Sequence, residues 1–154
     1  VAVATSLGGV EDLEEEVDWW EEHAAPIEAA MEAGDLPGAI DAELAIWAPM
    51  GTADEPGRRI REIAMDNIHE LTMDESSIEE LDPPAALRLG EIDVPTLVVV
   101  AERDPSDMHR AADLVAKGVL DGRSVSIEAD HVVNLRNPQA FDAAVLPFLA
   151  SVLV

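Results

Sequence analysis

The sequence contains no cysteine and no tyrosine, a single lysine (Lys117), and only three tryptophans and two phenylalanines in 154 residues. The absence of cysteine excludes disulfide frameworks, thiolate metal sites and cysteine nucleophiles together. No stretch approaches the roughly 18 consecutive apolar residues of a spanning helix, and no basic segment followed by a signal-like apolar run opens the chain. Bases are scarce: 9 Lys and Arg stand against 33 Asp and Glu, giving a formal charge of -24 and a pI near 4.1. Such a surface repels phosphate backbones and anionic lipid, so neither a nucleic-acid nor a membrane partner is expected. The expected location is cytoplasmic.

What is present is aliphatic. At 48% hydrophobic residues the chain can bury one sizeable core, and at 154 residues it is short for two ordinary domains. The aliphatic content and its periodic runs also argue against intrinsic disorder. Residues 11–80 hold 22 of the 33 acids and, as bases, only Arg58, Arg59 and Arg61. A surface almost without lysine and coated with carboxylates is that of a protein kept soluble at high salt, which suggests a halophilic source. The acidic run lacks the Asp/Asn and Gly spacing of a calcium loop. His23, His69 and His109 fall on expected helices among acids with no ligand spacing, so no metal and no cofactor are expected.

Strand patterns stand at the ends of the chain and helical patterns between them. Residues 1–5 are a short apolar run closed by Gly8-Gly9, which reads as a buried strand and a turn. Helical periods follow over residues 11–34, interrupted at Pro26, over 37–47, and over 57–73, where Ile60, Ile63, Ala64, Asn67, Ile68 and Leu71 form the expected buried stripe. Residues 76–89, broken by Pro83-Pro84, are a connection with at most one or two helical turns. The period then changes. Residues 94–101 are a β-branched run suited to a parallel strand covered on both faces. A helix over 105–118, a strand over 123–128 and a helix over 139–153 complete an α/β pattern with a parallel crossover.

In open parallel sheets functional groups leave the carboxyl ends of strands. Two such loops are visible: 101–104 after one strand and 129–131 after the next. Asp104 and His131, 27 residues apart, suit a pair in which a carboxylate orients an imidazole acting as general base. Asp107 is a second acid on the same loop. Asp130, beside His131, could raise the imidazole pKa.

These residues are similar to a known superfamily. Ile92-Asp-Val-Pro-Thr-Leu-Val-Val-Val-Ala-Glu-Arg-Asp104, then Ala129-Asp-His131 with Asn134-Leu135, Asn137-Pro138 and Phe141, resemble the last two strands of the α/β hydrolases. Upstream, Gly8-Gly9-Val10-Glu11, an acidic helix containing Trp19 and Trp20, Glu32-Ala33-Gly34-Asp35-Leu36 and Trp47 look like the helical cap inserted between the sixth and seventh core strands. The resemblance implies a three-layer parallel sheet with helices. Residues 1–9 would be the sixth strand, 10–82 the cap and 83–154 the C-terminal core. It further implies that Asp104 is the triad acid and His131 the base in a hydrolase of a small apolar ester, lactone or related substrate; Trp19, Trp20 and Trp47 are the candidates to line its apolar pocket under the cap, with ordinary packing of the cap core as the alternative that their helical spacing favours.

The nucleophile, on this resemblance, lies before Val1, and the chain's opening with Val fits a fragment. Ala4-Thr5-Ser6-Leu7-Gly8 imitates the small-x-Ser-x-Gly nucleophile elbow. An elbow strand should be followed by another strand before the cap, and residues 10–90 show only helical periods and turns, so Ser6 is expected to be a sixth-strand residue. Ala101 stands where the acid loop ordinarily opens with Gly, and Asp130 where Gly ordinarily precedes the histidine. The chain alone would be catalytically inactive until completed by its missing N-terminal half. The rival expectation is a non-catalytic module that self-associates, or recruits a partner, through an unpaired first strand.

Overall fold

The computed structural model describes residues 1–10, 13–74 and 82–152. The chain divides into two compact units, Val1–Glu11 with Glu80–Val154, and Asp12–Glu79.

The first unit is a three-layer α/β structure around a parallel sheet of order β1-β2-β3, with β1 Ala2–Val3, β2 Thr96–Ala101 and β3 Gly122–Ile127. β2 alternates strictly. Leu97, Val99 and Ala101 face a core shared with Ile127, Val133, Val145 and Phe148, covered by the helix α6 (Pro138–Val152). Val98 and Val100 face the opposite core with Ala112, Val115 and Val119 on the helix α4 (Ser106–Gly118) and the segment after it. Val98 and Val99 are fully buried on opposite faces, which is why the run is apolar without interruption. The run begins as strand at Thr96 rather than at residue 94, since Pro95 has no N–H to give the ladder and Val94 is exposed. A short helix, α5 (Val133–Arg136), precedes α6.

β1 is shorter than the expected strand over residues 1–5. The Ala4 N–H still reaches the Val99 carbonyl at 3.1 Å, but Ala4 itself adopts φ +44°, and this left-handed residue turns the chain out of the sheet. Gly9, at φ +87°, then passes so close to Pro84 that a Cβ would stand 2.3 Å from that ring, and Gly8 accepts the Ala86 N–H. These contacts pin the first segment beside the start of the second strand's approach.

The second unit is helical: α1 Glu14–Glu32, α2 Leu36–Trp47, α3 Glu55–Asp66 and a 3₁₀ turn Ile68–Thr72. Glu16 Oε2 accepts the Leu13 N–H, Asp35 that of Gly38, and Asp54 that of Gly57, so each helix start has a carboxylate on its otherwise unsatisfied donors. α1 continues through Pro26 instead of breaking there. The loss of one helical hydrogen bond at Pro26 is outweighed by the packing of α1 on α2, where Trp20 meets Trp47. α3 differs from its expected stripe. Ile60 is buried, but Ile63 is 38% exposed, and Asn67, just past the end of the regular helix at Asp66, is exposed with its amide donating to the Ile63 carbonyl. Residues 75–81, within the expected connection, lie outside the described residues.

Candidate functional site

β2 and β3 are parallel and end together, Ala101 opposite Ile127, so the loops that follow leave the same edge of the sheet. Pairing runs on past the strands: the Glu102 N–H meets the Ile127 carbonyl at 3.0 Å and the Arg103 N–H meets that of Ala129 at 3.1 Å. The Asp104 N–H turns back to the Ala101 carbonyl at 3.2 Å. The backbone thus carries the acid loop and the histidine loop side by side up to the residues that matter.

Asp104 Oδ1 stands 3.1 Å from His131 Nδ1. The Asp104 side chain is 2% exposed and that of His131 is 32% exposed, a covered carboxylate behind an accessible ring. An ionised carboxylate only accepts, so the bond requires the Nδ1–H form of the imidazole, and Nε2 becomes the ring's proton-accepting nitrogen. The Asp104 carboxylate is thus placed on His131, and Asp107, the second acid on the loop, stands in the first turn of α4. His109, on the same helix, places Nε2 2.8 Å from the Ala101 carbonyl and ties α4 to the end of β2. Of the sequence signals, only its spacing of eight residues to the strand end points to this bond.

Asp130 is not turned toward His131. It is fully buried, with Oδ2 2.7 Å from Arg136 Nε, and the Arg136 side chain is itself 1% exposed. Asp130 thus enters a buried ion pair directly beside His131 in the chain. The sequence held one signal for it: Arg136 is the only base after Arg123. On the outer side of the two loops Arg103 grips Glu128, Nε to Oε1 at 2.8 Å, and Ser126 Oγ donates to Glu102. The Arg103 guanidinium, and then hydrogen bonding with Glu102, hold the Glu128 carboxyl below the usual carboxylate range.

Ser6 is exposed, and its carbonyl accepts the Thr5 hydroxyl. A nucleophile elbow carries its serine on a sharp turn from strand into helix. Here the left-handed residue is Ala4, and a loop with a turn at Gly8-Gly9 follows in place of a helix. Trp19, Trp20 and Trp47 come together within the helical unit: Trp19 meets Trp20 edge-on at 5.0 Å, Trp20 meets Trp47 at 5.4 Å, and His23 stacks on Trp19 at 3.9 Å with Nδ1 on the Trp19 carbonyl. All three indoles are partly exposed, and their contacts join α1 to α2. Among the described residues no group of three or more His, Asp or Glu is placed to hold a metal ion, and no helix is long and apolar enough to cross a membrane.

Among solved structures the chain is similar to a hydrolase from Pseudomonas aeruginosa PA01, at 28% identity and a TM-score of 0.60 over 89% of this chain and 51% of that one. It is also similar to MenH from S. aureus, at 15% identity and a TM-score of 0.55 over 99% of this chain and 58% of that one. Both have the α/β-hydrolase fold, and the chain is related to that superfamily by structure. It spans about half the length of each. No family profile and no curated protein sequence matches it.

Proposed function

We propose that this chain supplies the acid and the histidine of an α/β-fold hydrolase acting on a small apolar ester, lactone or related substrate. Asp104 holds the His131 ring in its Nδ1–H form, and Nε2 takes the proton of a nucleophile or water and returns it to the leaving group. The observation that carries this reading is the 3.1 Å bond between a covered carboxylate and an accessible imidazole, past the ends of two adjacent parallel strands. The likeness to a hydrolase at 28% identity supports the reaction class. The nucleophile is assigned to residues outside these 154, because Ser6 lacks the strand-to-helix turn that would expose and activate it.

The test is ester hydrolysis by the full-length gene product, with p-nitrophenyl acetate and butyrate as probes. Asp104→Asn is expected to lower kcat by about 10⁴-fold, the cost of a wrong tautomer in comparable triads, while leaving KM nearly unchanged. Wild-type hydrolysis that persists in both Asp104→Asn and His131→Ala would refute the assignment.

A second reading, a non-catalytic module that self-associates or recruits a partner, is favoured by one feature. β1 pairs only with β2 among the described residues, leaving its outer edge as a template for another strand.

A further inference from the structure

We propose that the buried Asp130–Arg136 ion pair is a positioning device for His131, a role that rests on the hydrolase reading above. The segment between β3 and α6 is a small closed loop. Asn137 Nδ2 reaches back to the Glu128 carbonyl at 3.3 Å and closes its two ends. Inside that closure Arg136 Nε meets Asp130 Oδ2 at 2.7 Å, and Val133, fully buried, seats α5 in the core. His131 lies between these anchors, immediately after Asp130 and five residues before Arg136. Fixing the side chain on one side of His131 to the helix on the other leaves its backbone little freedom, and the imidazole is held where Asp104 stands.

Stability alone accounts poorly for the pair. Both side chains are almost wholly buried, and among the described residues Asp130 Oδ1 has no hydrogen-bond partner, so the carboxylate carries a desolvation cost that its pairing offsets only in part. Apolar residues of similar volume hold a core as well or better than such a pair. What apolar residues lack is direction. A carboxylate and a guanidinium joined at 2.7 Å admit one arrangement of the loop, whereas methyl groups tolerate several.

Proton and nitrogen magnetic resonance of the His131 ring tests this, with His131→Gln identifying the signals and amide exchange in β2 and β3 reporting the fold. In the wild type a low-field Nδ1 proton bonded to Asp104 is expected. The double variant D130L/R136M removes both charges and is expected to fold with an unchanged or higher melting midpoint, yet to lose that proton signal as the ring shifts toward its Nε2–H form. Asp130→Asn, which keeps the side chain's shape, should show the same loss and serves if the double variant does not fold. A folded variant that retains the wild-type signature overturns the proposal and leaves the hydrolase reading intact. Failure of both variants to fold also overturns it, since the pair is then a folding element. A wild-type ring without the Asp104 bond overturns both readings at once.

Discussion

Arg61 on α3 meets Asp41 on α2 at two points, Nε to Oδ1 at 2.7 Å and Nη2 to Oδ2 at 3.0 Å. Two residues along α2, Glu43 sits in the opposite situation. Arg61's hydrogen bonds pull the Asp41 carboxyl below its usual range, whereas burial, and then the charge of Glu70, push that of Glu43 above it. The pH dependences therefore oppose each other. Asp41 adds stability above the ordinary carboxylate pKa of about 4, and this is lost as pH falls through its lowered value. Glu43 is protonated in both states at low pH and costs stability as pH rises from the ordinary value through its raised one. Glu43→Gln should raise the melting temperature at pH 7 and leave it unchanged at about pH 3, while Asp41→Asn should lower it at pH 7. Melting curves of both variants at the two pH values check this, and equal shifts at both would contradict it.

Salt should stabilise the protein. With a net charge of -24 the compact chain repels itself, and at 1 M salt that repulsion is screened over about 3 Å. The melting midpoint is expected to rise between 0.1 M and 2 M KCl by more than that of a neutral control domain, which corrects for salting-out of apolar surface. A flat midpoint would count against a high-salt origin.

A fluorophosphonate probe should leave Ser6 unmodified in the isolated chain. Ser6 is exposed, but the left-handed turn belongs to Ala4, and residues 7–10 form a loop and turn in place of the helix start that an oxyanion hole needs. Mass spectrometry after labelling reads the result directly; stoichiometric modification at Ser6 would restore it as nucleophile.

Association through the outer edge of β1 should strengthen with salt, as screening removes the acidic repulsion between copies. A second copy would join by a two-fold contact with antiparallel strands. The short strand limits the number of hydrogen bonds available, so a weak, salt-dependent dimer is expected in sedimentation. A strict monomer from 0.1 M to 2 M KCl removes this surface as an interface.

Much of this molecule is written along the chain because its signals are local. The β-branched run ending at Ala101 announces a strand covered on both faces, and the positions of Asp104 and His131 just past two strands announce loops at one sheet edge. Alternation and strand order need no knowledge of distant residues. The carboxylates at residues 16, 35 and 54 likewise stand close to the helix starts they serve. Where the three-dimensional packing of a side chain decides, the pattern falls silent. Pro26 reads as a break until the packing of α1 on α2 outweighs its missing bond, and Ile63 reads as core although the structure leaves it exposed. Ala4 reads as strand, yet it takes a left-handed turn where Gly8 and Gly9 are held against Pro84 and Ala86. Asp130 is the sharpest case. Its neighbour in sequence is His131, but a buried carboxylate goes to the charge that can satisfy it, and only the fold brings the Arg136 guanidinium to within 2.7 Å.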